Sequence, residues 1–355
     1  EKVWLTTRLA MNRVALGDFE NARVDIKRTH EREAIIAEFR SKETLAAEEE
    51  AKSKGATSGG KELNGYPVET LNDPEVLALK NGYSNALSHY LAGFLYEMLN
   101  EPGLAAPGYR KAIELKPDTP VLEEGLRGLD DRTSFTHRRR QQQTDVLFVI
   151  ESGFAPSWQS ITIPIPIPGS SRGLIMTPLS FPIIKSENKG FVPSTVNIGN
   201  RQIPVETLTN IDAMARRQLK DQMPGILLRT TIRAVLKSLA QDQANKGGLV
   251  LGLVSNVAAV VSEQADDRSW RTLPERISVA RATLPVGVQT MEIQTDNGIL
   301  RKEVEIGNRF TIVPIRLSGG AAYVGQPNVP GSMAVVAEPE PVVKPQSGKR
   351  QPAKR

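Results

Sequence analysis

Within residues 89–117, HYLAGFLYEMLNEPGLAAPGYRKAIELKP, small and aromatic side chains recur at set places. The positions are Gly93, Tyr96, Ala105, Tyr109, Ala112 and Pro117. Two antiparallel helices approach closely only where both carry small residues, so Gly93 is expected to face Ala105. Tyr96 and Tyr109 would fill the space beside that contact. Pro117, with no N–H to give, would stop the second helix. A hairpin built this way has apolar surface on more than one side. It needs neighbours, and that need limits what the rest of the chain can form.

The order small, aromatic, small, aromatic, small, proline is that of a tetratricopeptide repeat. Leu9, Ala10, Gly17, Asp18, Phe19, Ala22 and Ile26 give a weaker copy, with ALGDFENAR as its turn. The partner helix of that copy runs long, through Phe39 to about residue 52. Its charged, Gly/Ser-rich end predicts a flexible insertion over 53–65. Repeats of this type stack and leave a concave face that recognises extended or helical segments. Asn12, Asn81, Tyr83 and Asn85 are the candidates for that face.

Asp73 followed by Pro74 reads as a helix cap. Helices are expected to about residue 129, giving a helical domain over 1–130 and a polar linker over 131–143. From 144 the pattern changes. Val146-Leu147-Phe148-Val149-Ile150 is a β-prone apolar run. In ITIPIPIP, Ile161, Ile163, Ile165 and Ile167 alternate with residues that include three prolines. Proline cannot donate to a ladder, so this run is an edge strand or an extended arm, with its isoleucines on one side. Leu179–Ile184 and Phe191–Ile198 read as strands and 206–245 as helix, kinked or broken at Pro224. A further apolar helix is expected over 249–261. Strands follow near 277–284, 288–295, 299–305 and 309–317, with hairpin turns at Asp296-Asn297-Gly298 and Gly307-Asn308. The whole is α+β: helical hairpins, then a strand–helix–strand domain over 144–320. Residues 321–355 form an extended Pro/Lys-rich tail.

Apolar residues make up 39% of the 355, enough for real cores. There is no cysteine, which excludes disulfides and thiol chemistry. A net charge of +5 is too mild for a nucleic-acid footprint. No apolar run reaches the ~20 residues that span a bilayer. The chain enters directly into a helical pattern at Glu1, as expected of a piece of a longer precursor.

Four stretches, taken together, resemble a known family. They are Leu16-Gly-Asp-Phe-Glu-Asn-Ala-Arg23, Tyr90-Leu-Ala-Gly-Phe-Leu-Tyr96, Val149-Ile-Glu-Ser-Gly153, and Asp267-Arg-Ser-Trp-Arg-Thr-Leu-Pro274 followed by Val279-Ala-Arg281. The chain is similar through them to the tetratricopeptide-containing outer-membrane lipoproteins of Gram-negative bacteria. The resemblance implies a lipid-modified cysteine upstream, a periplasmic, outer-membrane-associated location, and no transferable catalytic residue.

Nothing nominates chemistry. His30, His89 and His137 are far apart in sequence, and a shared metal site would need them brought together. Adjacent carboxylates such as Asp266-Asp267 do not face one another. Asp267, Arg268 and Trp270 read as a turn lock, with Asp267 bonded to backbone and an arginine stacked on Trp270. No catalytic, cofactor or metal residue is assigned. The expected function is a non-enzymatic scaffold or assembly factor that binds other envelope proteins. Its partners could include copies of itself, and a lipid anchor outside this chain would be its only membrane contact. The alternative is a subunit of a large envelope ring held by exchanged isoleucine–proline arms.

Overall fold

A computed structural model describes residues 2–53, 66–134, 143–168, 174–185, 190–245, 270, 272–307, 310–318 and 321–325. Two helical hairpins come first. Helices α1 (Lys2–Ala15) and α2 (Phe19–Ser53) form one, and α4 (Ala86–Met98) and α5 (Pro102–Leu115) the other. Between them lie a 3-10 turn (Val68–Leu71) and the short α3 (Pro74–Leu77); α6 (Pro120–Arg127) and α7 (Leu129–Thr133) follow. Asp73 caps α3, accepting from the Glu75 N–H at 2.9 Å. Helix α5 ends two residues before Pro117, whose ring disfavours helical backbone at Lys116 (φ −141°, ψ 84°).

Among the described residues the β-strands build three sheets. One has the order β11 (Ala321–Val324), β10 (Phe310–Ser318), β1 (Gln143–Ser152), β7 (Arg276–Pro285), β6 (Glu206–Asn210). A second has the order β5 (Arg201–Pro204), β4 (Thr195–Ile198), β8 (Gly287–Thr295), β9 (Gly298–Ile306). The third is a hairpin of β2 (Ser157–Pro168) and β3 (Leu174–Lys185). The architecture is α+β.

Side-chain alternation explains why the five-stranded sheet lies at the centre. Leu147, Val149, Ile277, Val279, Phe310 and Ile312 point to one face and share a core with Ala10, Met11, Tyr90, Phe94 and Tyr109 of the helices. Val146, Phe148, Ile150, Ala280, Val313 and Ile315 point to the other and pack on Ile198, Met291, Ile293 and Val304 of the four-stranded sheet. The unbroken apolar run of β1 therefore marks a strand buried on both faces. The layers are helices, sheet, sheet, and one core crosses the boundary that the polar run at 131–143 leads one to expect. Residues 129–133 are helical rather than linker, and 135–142 lie outside the described residues.

Other expectations change as well. Residues 206–210 form a strand, and helix α8 (Ile211–Asn245) starts only after Asn210, whose side chain accepts from the Ala213 N–H at 3.0 Å. Pro224 does not end α8. The bond lost at Pro224 is one among many, and packing of Leu219, Met223, Ile226 and Leu227 around Phe181 and Ile184 holds the helix from its side. Only 195–198 of the run at 191–198 is strand. The turn at 307–308 does not close a hairpin: β9 stays in the outer sheet, while β10 pairs parallel with β1. Its doubly apolar faces suit β10 to the central sheet, and the charged β9 suits an edge. Residues 321–324, expected to open the extended tail, instead form β11 and pair with β10. The rest of the tail from 326, the helix expected over 249–261 and the insertion expected after Ser53 lie outside the described residues.

Candidate interaction surface

The two hairpins meet their surroundings differently. In the second, Gly93 lies against Gly108 and the Tyr109 ring. A Cβ added at Gly108 would sit 2.8 Å from the Gly93 nitrogen and 2.9 Å from the His89 carbonyl. The close approach is thus Gly93 on Gly108, not Gly93 on Ala105; Ala105 and Ala112 are fully buried beside it. Tyr96 is half-buried, with the Arg23 guanidinium 5.5 Å from its ring.

Below this hairpin lies a buried ion cluster. Arg281 of β7 donates to both oxygens of Glu97 at 3.0 Å, to Asp145 Oδ1 at 3.0 Å and to the Tyr109 hydroxyl at 2.9 Å. Tyr109 donates to Glu97 at 2.6 Å, and Arg132 of α7 also binds Glu97. Burial works against the Glu97 carboxylate, but Arg281 and Arg132 outweigh it and hold Glu97 below the usual carboxylate range. Burial pushes the Tyr90 and Tyr109 hydroxyls up. Glu97 has 0% exposure, and the cluster ties helices to sheet. Periodicity shows Glu97 only as one polar position on an apolar helix; its partner lies 184 residues on.

Asn81 accepts from the N–H groups of Tyr83 and Ser84 at 3.0 and 2.7 Å. Asn85 is buried and caps α4, accepting from the Ser88 N–H at 2.8 Å. Both side chains are thus engaged by local backbone, and Tyr83 is half-buried beside them. Asn12 alone of the four candidates is exposed, on the outer side of α1. Ile163 is buried and Ile161 half-buried over Tyr66, Leu71 and Leu219, so this part of the arm is covered by its own chain. Ile165 and Ile167 pair in register with Thr177 and Ile175, and their side chains lie outside the described part. Asp267 and Arg268 also lie outside it. Trp270 is partly exposed and donates from Nε1 to Thr272 Oγ1 at 2.6 Å.

The fold brings His30 and His89 together after all. Their rings stack at 4.3 Å, and His89 Nε2 lies 3.0 Å from a Glu33 oxygen. His30 Nε2 is buried with no hydrogen-bond partner. Burial first, then the neighbouring His89, lowers the His30 pKa to about 4. Among the described residues no group of three side chains could hold a metal ion, and no helix is long and apolar enough to cross a membrane.

The first hairpin has one covered side and one open side. Val3, Ala10, Met11 and Val14 of α1 and Ala22 and Ile26 of α2 face inward. On the outside stand Leu5, Leu9, Leu16 (74% exposed), Val24, Ile35 (64%), Phe39 (64%) and Leu45. With 35 residues against 14, α2 runs about 30 Å past α1. The Arg32 guanidinium, 2.9 Å from the Lys2 carbonyl, marks where α1 stops beside it. Beyond that point Arg40 binds Gln222 of α8, so the overhang is braced on one flank. Isolated apolar side chains on a surface are ordinary; several along one helical stripe mark a place of contact.

No protein-family model matches the chain, no curated protein matches it, and no solved structure matches it.

Proposed function

We infer that this chain is a non-enzymatic scaffold or assembly factor of the bacterial envelope, built on tetratricopeptide-like hairpins and located in the periplasm at the outer membrane. Its partners are other envelope proteins, and its membrane contact runs through a lipid anchor outside this chain. The observation that carries the reading is the open apolar stripe on α1 and α2, from Leu5 to Leu45. A stacking hairpin with one bare side is a half-finished layer, and a partner finishes it.

The test is a photo-crosslinking side chain placed at Phe39 in the bacterial cell, with Thr290 on the outer sheet as control. Adducts concentrated at Phe39 support the reading; equal adducts at both sites, or none, overturn it. Fractionation of the same cells tests the location, since a chain recovered with the cytoplasm would refute the envelope assignment.

A further inference from the structure

The overhang of α2 carries a pattern that reads the same from either end. We propose that α2 pairs antiparallel with α2 of a second copy of this chain, about a two-fold axis midway between Ile35 and Phe39. The inference rests on the reading of this stripe as a contact surface and names its occupant.

The argument is positional. At 100° per residue, Val24, Arg28, Ile35, Phe39 and Lys42 fall on one stripe, with Glu31 at one margin and Arg32 and Glu43 at the other. In an antiparallel pair of helices, like flanks meet. About the stated axis, Phe39 lies on Ile35 of the second copy, and Ile35 on its Phe39. Arg32 then meets Glu43 across one margin, and Glu31 meets Lys42 across the other. Each pair occurs twice by symmetry, so four opposite-charge contacts surround an apolar centre. In a parallel pairing unlike flanks meet, so Glu31 would lie by Arg32 and Lys42 by Glu43; the charges suit a second copy in either direction, and opposed helix dipoles favour the antiparallel one. Lys42 now pairs with Glu38 at 2.7 Å, and Arg40 with Glu43 at 2.8 Å. Exposed pairs within a helix hold weakly, so the partner's charges can compete for them.

The contact is small. About 30 Å of helix roughly 10 Å wide gives on the order of 300 Å² per copy, well below the ~800 Å² of a standard stable interface. The dimer should therefore be weak and concentration-dependent, while its register is specific.

Sedimentation of the purified whole chain tests this. The mass should rise from one copy toward two as concentration climbs from low micromolar toward millimolar. Phe39→Glu should hold it at one copy, with an unchanged circular-dichroism spectrum because the side chain is exposed. Glu31→Lys should weaken pairing and Glu31→Lys with Lys42→Glu should restore it. The chain has no cysteine, so introduced thiols report register cleanly. Arg32→Cys and Glu43→Cys chains, mixed and oxidised, should join to each other, and neither should join to itself. A mass of one copy at every concentration overturns the proposal, as does a dimer that survives Phe39→Glu or an Arg32→Cys chain that crosslinks to itself. If the purified chain stays single while Phe39 crosslinks another protein in cells, self-pairing fails and the scaffold reading stands.

Discussion

Both helical hairpins carry small and aromatic residues, the first in a weaker pattern, yet α4–α5 is sealed and α1–α2 is half open. Helix α4 has the α1–α2 hairpin on one side and the central sheet on the other, and nearly all its side chains are buried. Helix α2 shows alternate fates along its length: Ala22, Asp25, Ile26, Thr29 and Glu33 inside, Val24, Ile35 and Phe39 outside. The difference is position in the stack, not local propensity. An inner layer has two neighbours, an end layer has one, and local sequence pattern is blind to which it is. The contrast leaves apolar surface bare at the end layer and buries it at the inner one.

Substitutions should separate the two. The largest effect is expected at Arg281→Met, which leaves Glu97 and Asp145 buried with Arg132 alone to offset two carboxylates. It should cost about 3–5 kcal/mol in urea unfolding, and a loss below 1 kcal/mol would show the cluster to be dispensable. Next comes acid. His30 is held neutral in the fold with a pKa of about 4, against 6.5 unfolded. As pH falls, the unfolded chain takes the proton first. This contribution is therefore intact above pH 6.5 and declines as pH falls toward 4, by up to ~3 kcal/mol at 1.36 kcal/mol per unit. His30→Phe should flatten that part of the stability–pH curve; an unchanged slope would assign it to other groups.

Gly108→Ala drives a methyl group into the backbone of α4 and should cost about 1–3 kcal/mol. The same change at Gly103, whose added Cβ meets nothing within 4 Å, should be neutral or stabilising. The smallest effect belongs to the end layer. Phe39→Glu should move stability by no more than about 0.5 kcal/mol. A loss of several kcal/mol there would mean that the stripe is core and the contrast false.

Much of this arrangement was legible in local pattern. The spacing of Gly17, Ala22, Gly93 and Tyr109 placed both hairpins, and the run Val146–Ile150 placed a strand. What escaped it depends on partners distant in the chain. Gly108 looks like any glycine until Gly93 is set against it. Arg281 appeared as the end of a short shared motif, and only the fold brings Asp145 and Glu97 to it. His30 and His89 sit on separate helices, and no periodicity relates them. Asn81 and Asn85 looked available because capping bonds leave no signature beyond residue type. The open stripe was obscured for a different reason: Glu, Lys and Arg interrupt it, and only burial of the opposite face shows that Ile35 and Phe39 are uncovered.

The parallel pairing of β1 with β10 also bears on synthesis. A ribosome releases α1 to α7 first and β1 soon after, but β7 and β10 emerge only after the intervening β2–β6 and α8. Until then the inward sides of Ala10, Phe94 and Tyr109 have no sheet to rest on. Such long-range closure is slow and exposes sticky surface meanwhile. A nascent chain of this design is a natural client for chaperones, and truncation before β10 should yield aggregates rather than a smaller folded unit.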